Sequence, residues 1–255
     1  MTLVITGLNG IPLIKKEDNL AEIIWNSSIQ NKILLEDGDI FVITQKIVSK
    51  SEGRLVNLKE VRASQKAIDL SKHTNKDPRL IQLILQESNK ILRSNSNHII
   101  VEHKLGFICA NAGIDHSNVE SLDADSENWY LLLPENPDFS AKNIREKIIG
   151  FSHKNIGILI IDSHGRAWRN GVVGTTIGLA GLPALVDLRG KKDIYGYKLR
   201  NTQVAVADEL AGTASLVMGQ SSEMIPVVHV RGFPYSLRES SMTELIRPKD
   251  EDLFR

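Results

Sequence analysis

The sequence predicts a mixed α/β fold, and three observations carry that prediction. Short runs rich in Ile and Val alternate along the chain with segments of helical period. Each apolar run is bounded by glycine or polar turn residues, as strands are. The 255 residues suffice for a sizeable core in a single domain spanning 1–255, with room for two lobes. Strands are expected at 2–6, 39–44, 98–103, 106–110, 155–161 and 225–230. Helices are expected at 19–26, 60–71, 77–92, 141–150 and 204–218. In the third of these, Asp77 caps the start, Pro78 takes the first helical position, and Ile81, Ile84, Leu85 and Leu92 form an apolar stripe. Polar punctuation at 94–97 and 123–128 marks loops, the second being the better lobe boundary. The closing "IRPKDEDLFR" mixes both signs and reads as a solvated helix or tail. No internal repeat and no low-complexity tract is visible.

Composition narrows the function. Lys plus Arg equals Asp plus Glu, 31 against 31, so no global field draws the chain to nucleic acid or an anionic membrane. Charge recognition has to be local. The single Cys109 excludes a disulfide framework and a cysteine metal cluster and fits a reducing compartment. The opening "MTLVITGLNGIPLI" lacks the pattern of a signal peptide and reads as a strand. The longest uncharged stretch, 171–186, falls short of the roughly 20 apolar residues of a membrane span. A cytoplasmic protein is expected.

Chemistry-bearing residues gather at strand ends. Asp162 and Ser163 follow the greasiest run, where ligands collect in open α/β sheets and where a carboxylate and a hydroxyl suit a hard cation. An Asx-turn that lets Gly165 take a positive φ is the bland alternative. "CANAGIDHSN" repeats the pattern with Asp115 and Asn118, three residues apart, against the alternative of a capped loop. After the strand at 39–44 come Lys46, Lys50 and Arg54, with Glu52 the one acid between Thr44 and Arg54. That set suits phosphate, but a hairpin with exposed lysines fits too. "LRGKKDIYGYKLRNTQ" is basic with Tyr195 and Tyr197 interleaved, which suits a polyanionic small molecule with aromatic character. Asp208 and Glu209 at the start of the 204–218 helix are explained by the helix dipole alone.

Absent motifs matter as much. There is no P-loop, no dinucleotide fingerprint, no HExxH or paired-cysteine zinc site and no G-x-S-x-G elbow. "TNKDP" at 74–78 has the look of a guanine-reading fragment but no P-loop partner. What remains is two carboxylates and two lysines. Metal-assisted phosphoryl transfer uses such a set, because cations offset phosphate charge as it shifts in the transition state.

"GIPLI", "TQKIVSKSEGR", "NAGIDHSN", "LLLPENPD", "DSHGRAWRNGVVGTTIG", "GKKDIYGYKL", "VAVADELAGTASLVMG" and "IPVVHVRG" occur in one order along nearly the whole chain. Together they resemble the coenzyme F420-0:L-glutamate ligase family, the γ-glutamyl ligases of deazaflavin coenzyme biosynthesis. The resemblance implies a GTP-dependent enzyme that adds L-glutamate to coenzyme F420-0, and then further γ-linked glutamates, through an acyl phosphate. It implies two Mg²⁺ or Mn²⁺ ions with K⁺ as an aid, and an intertwined homodimer. Carried over by position, Ile11, Pro12, Leu13, Ile14, Gln45, Lys46, Lys50 and Asn118 contact the nucleotide. Asp115, Asp162 and Ser163 hold metal, with Lys50 offsetting charge. Gln220 stands where some members present a metal-binding Glu. A flavin-type domain fused C-terminally in some relatives is not expected here. Two other readings stay open: a non-catalytic deazaflavin- or nucleotide-binding protein, and a metal-dependent phosphohydrolase.

Overall fold

A computed structural model describes residues 2–119 and 126–253. Among them the chain forms β1 (Val4–Gly7), α1 (Leu20–Gln30), β2 (Ile40–Thr44), α2 (Gln45–Ser51), β3 (Leu55–Asn57), α3 (Gln65–Ser71), α4 (Pro78–Gln86), β4 (Ser88–Ser94), β5 (Ile99–His103) and β6 (Ile108–Ala110). The second half adds β7 (Trp129–Leu131), α5 (Pro137–Ser152), β8 (Gly157–Arg166), β9 (Arg169–Ala180), β10 (Val186–Asp187), β11 (Gln203–Val204), α6 (Val206–Met218) and β12 (Val227–Arg231). The fold is mixed α/β.

The central sheet runs β1-β12-β2-β8-β9. Only β2 and β8 pair in parallel; the other neighbours are antiparallel. Both faces are covered, which is why its middle strands read as unbroken aliphatic runs instead of alternating ones. Phe41, Ile43, Ile158 and Ile160 face a layer built from α1 and α5. Ile40, Val42, Leu159 and Ile161 face α6. A smaller sheet, β4-β5-β6, packs Ile99 and Val101 against Ile81 and Ile84 of α4. Partly buried Phe107 packs against all three of these clusters.

Every expected strand and helix has a counterpart, but several bounds are corrected. The 77–92 helix stops at Gln86, because residues 88–94 pair with β5 as a strand and take Leu92 out of the helical stripe. The Ser88 hydroxyl bonds back to the Ile84 carbonyl there, a side-chain bond that competes with the helix. Asp77 does cap α4, accepting from the Arg79 amide at 2.7 Å. The 60–71 helix begins at Gln65 behind a Ser64 cap, and Glu60 lies in a separate 3₁₀ turn. Part of the 123–128 loop lies outside the described residues, as do the last two residues of the tail. Residues 126–128 form a 3₁₀ turn.

The glycine-punctuated stretch is largely strand β9, which the sequence reading did not foresee. Its glycines lie under helices. A Cβ on Gly174 would stand 2.4 Å from the Ala211 carbonyl oxygen of α6, and one on Gly178 2.4 Å from Pro137 Cβ of α5. Close helix-to-strand packing explains both positions. The Asp208 carboxylate, in the first turn of α6, accepts from the Thr176 amide of β9 at 2.9 Å.

Candidate functional site

Strand β2 ends at Thr44 opposite Ile161, so Asp162 is the first residue of β8 beyond the parallel pairing. Asp162 does not end its own strand. β8 continues to Arg166, with Asp162 opposite Thr175 of β9. Gly165 is an ordinary strand residue and keeps a negative φ, which removes the turn reading. Where β2 stops, the Thr44 hydroxyl caps α2, and α2 sorts its residues by face. Gln45 and Ser49 are buried, while Lys46 and Lys50, one turn apart, line a cleft of about 2040 Å³. The same cleft is lined by Ile11, Pro12, Leu13 and Ile14, by Asp115, Ser117 and Asn118, and by Asp162, Ser163 and Gln220. Residues distant in sequence thus share one cavity.

Gln45 stands apart from that set. It is fully buried behind the wall, where its Nε2 donates to Asp115 Oδ2 at 2.7 Å. The Ser49 hydroxyl donates to Gln45 Oε1 at 2.8 Å and fixes which end of the amide faces the acid. Its place is behind a carboxylate, whereas the sequence reading set it on the nucleotide. Lys46 Nζ lies 3.3 Å from the same Oδ2 and donates to the Ser117 hydroxyl and carbonyl at 3.0 Å each. Burial raises the Asp115 carboxyl above the ordinary carboxylate range and the charge of Asp162 adds to the rise, while Lys46 and Gln45 oppose it.

Asp162 is held in a similar way. His164, two residues on and therefore on the same strand face, places Nε2 3.0 Å from Asp162 Oδ2. Among the described residues, Oδ1 of neither aspartate takes a hydrogen bond. Ser163 Oγ donates to Gln220 Oε1 at 2.8 Å, and Gln220 Nε2 donates to Ser215 at 2.9 Å. Asn118, at φ 56°, donates to the Ser221 carbonyl at 3.0 Å and closes the cleft from the other side. In the cleft wall, the largely buried Cys109 thiol is pushed up to about 12 by burial and by the charge of Asp162, which makes it inert.

The sequence reading missed His164, Ser117 and Glu223. The period of two from Asp162 is the signal that would have found His164. Glu223 also lines the cleft, its carboxylate held below the usual range by the backbone amides of Ser221, Glu223 and Gln220. The 191–197 stretch does not line the cleft: it lies between β10 and β11, with Ile194 and Tyr195 each 90% exposed.

The cleft thus brings two carboxylates and two lysines together beside a mixed α/β sheet. Residues 10–232 match the family model described as F420-0:Gamma-glutamyl ligase. The coenzyme F420:L-glutamate ligase of Methanothermobacter thermautotrophicus is 42% identical over 257 residues, covering 100% of both chains. The enzyme of that name from Methanocaldococcus jannaschii is 43% identical over 247 residues, 96% of this chain and 94% of the relative. The one from Archaeoglobus fulgidus is 39% identical over 255 residues, 100% of this chain and 97% of the relative. The chain belongs to the F420-0:γ-glutamyl ligase family. No helix among the described residues is long and apolar enough to cross a membrane.

Proposed function

We propose that this protein is a GTP-dependent ligase that joins L-glutamate to coenzyme F420-0 and then adds γ-linked glutamate to the product. The observation that supports it most is the cleft in which Asp115 and Asp162 face one space with Lys46 and Lys50, in a chain of this family. The donor set fits a divalent ion. Two carboxylates each keep one oxygen outside the hydrogen bonds above, Ser163 and Gln220 add neutral oxygens, and all are hard donors of the kind Mg²⁺ and Mn²⁺ prefer. Mg²⁺ or Mn²⁺ held by Asp115, Asp162, Ser163 and Gln220, with K⁺ as an aid, would neutralise phosphate charge and polarise the phosphoryl oxygens.

The chain's own residues account for the rest. Lys46 and Lys50, one turn apart on α2, offer positive charge to a triphosphate. The carboxylate of the coenzyme precursor attacks the γ-phosphorus, the bond to the β-phosphate oxygen breaks, and GDP leaves. The amine of glutamate then attacks the acyl carbon. Inorganic phosphate leaves, the amine gives up a proton, and an amide remains. The route needs no protein nucleophile, in keeping with a buried Cys109. A homodimer is part of the same reading.

The test incubates the protein with GTP, L-glutamate, the coenzyme, Mn²⁺ and K⁺, follows the coenzyme by mass, and omits each component in turn. Successive glutamyl increments that depend on all of them support the ligase. Phosphate release from GTP without glutamate or coenzyme identifies a phosphohydrolase. Binding without turnover identifies a non-catalytic relative.

A further inference from the structure

We propose that the outer face of the β4-β5-β6 sheet is the wall of the cleft that receives the carboxylate-bearing coenzyme, its flat ring on an apolar strip and its anionic tail on flanking cations. The proposal rests on the ligase reading above. Strand alternation creates the face. On β5, Ile99 and Val101 join the buried cluster, so strand alternation puts Ile100 and Glu102 on the opposite side, Ile100 partly exposed and Glu102 largely covered. Register sets Ile100 against Ala110 and Glu102 against Ile108 of β6. Leu92, Ile100, Ile108 and Ala110 all line the cleft, and Ile108 is 37% exposed. An aliphatic strip open to a large cavity is a surface that a flat apolar group covers.

Basic residues outnumber acidic ones around this strip, where Glu102 and Asp252 are the acids. Lys90, Arg93 and His98 line the cleft from β4 and the turn after it, and Arg166 and Arg169 line the same cleft from the β8–β9 hairpin. Among the described residues, Lys90, Arg93 and Arg169 make no ion pair or hydrogen bond through their side chains. Glu102, the acid on this face, is bonded by Lys249 at 3.0 Å. In a chain of zero formal net charge, a cluster of cations without acidic partners on a cavity wall is matched by an anionic ligand. The substrate supplies it. Each ligation consumes one carboxylate as an amide and brings two more, so the tail gains a negative charge with every glutamate.

Position ties the wall to the chemistry. Strand β6 runs directly into the loop that carries Asp115, and that loop lines the cleft. Strand spacing of about 4.8 Å puts β4 roughly 10 Å beyond β6, a span on the scale of a three-ring heterocycle. A ring lying across Leu92, Ile100 and Ile108 therefore leaves its tail within the same cavity as the paired aspartates.

Two variants test the wall, Lys90→Ala with Arg93→Ala, and Ile100→Glu. Each is assayed for KM of every substrate, for coenzyme binding without nucleotide by the coenzyme's own fluorescence, and for mass in solution. The expected result is a rise of about tenfold or more in coenzyme KM and Kd for both variants, larger for the glutamylated coenzyme in the double variant. GTP and glutamate KM and kcat stay within about twofold. Unchanged coenzyme KM and Kd in both variants overturns the proposal, as does a rise confined to the nucleotide. A change of oligomeric mass with unchanged coenzyme Kd assigns the face to contact between copies and also overturns it. If the wild-type protein adds no glutamate, the ligase reading fails, and the fluorescence titration still decides where the coenzyme sits.

Discussion

Replacing Gly178 by alanine separates two roles for the glycines of β9, room for a ligand and room for helices. Gly178 keeps a negative φ, so alanine fits its backbone and the effect is steric alone. The new Cβ would stand 2.4 Å from Pro137 Cβ and 2.5 Å from the Pro137 carbonyl carbon. Ordinary contact begins at 3.4 Å, so the first turn of α5 has to retreat by 3.4 − 2.4 = 1.0 Å. That retreat pulls Asp138 away from the Leu179 amide, bonded at 2.8 Å, and from the Met242 amide at 3.1 Å. Overpacking of this kind costs about 1–3 kcal/mol, and weakening a hydrogen bond adds about 1 kcal/mol. A total near 3 kcal/mol lowers Tm by roughly 6–12 °C in a domain of this size. Thermal unfolding followed by circular dichroism reads the shift, with Gly165→Ala as control, since a Cβ there meets nothing within 4 Å. Below the transition, nucleotide KM should match wild type. An unchanged Tm with a raised nucleotide KM would refute the packing argument and assign these glycines to ligand binding instead.

Three further outcomes are expected. Asp162→Asn, and separately Lys50→Ala, lowers kcat by about 10² to 10³ or more with folding intact by circular dichroism; wild-type turnover would remove that residue from the mechanism. Gln45→Leu takes a donor from Asp115, so the acid limb of the pH–rate profile moves upward while nucleotide KM changes little; an unmoved profile with raised KM would put Gln45 on the nucleotide after all. Asp39→Asn removes the partner of Arg231 (2.7 Å) and of buried His229 (2.9 Å), at a cost of about 3 kcal/mol at neutral pH. Burial raises the Asp39 carboxyl, but Arg231, His229 and the Glu36 amide outweigh burial and hold it well below the usual range. Its contribution is therefore present above the ordinary Asp value of about 3.9 and fades as pH falls below it, so wild type and variant should converge in stability in acid. A gap that persists there would contradict the linkage.

Element types were legible wherever local chemistry decided them. Asp77-Pro78 opens α4 as a cap and a first-turn proline must, and the aliphatic runs of β2 and β8 could only be buried strands. Bounds failed where pairing overrode local pattern. Leu92 continues a helical stripe in sequence, yet it belongs to β4, because β5 offers backbone partners that no window around Leu92 contains. The strand β9 was hidden for a related reason: its small residues are chosen for the helices lying on it.

The sequence by itself determined the family, the mixed α/β class, and the residue types suited to phosphate and metal, because motif order and side-chain chemistry are written along the chain. Only the tertiary structure decided that Asp115 and Asp162 face one cleft, that Gln45 stands behind an acid, and that the basic 191–197 stretch lies away from that cleft. Such facts depend on which distant segments fold against each other, and strand pairing and helix packing set that through contacts that no short window of sequence contains.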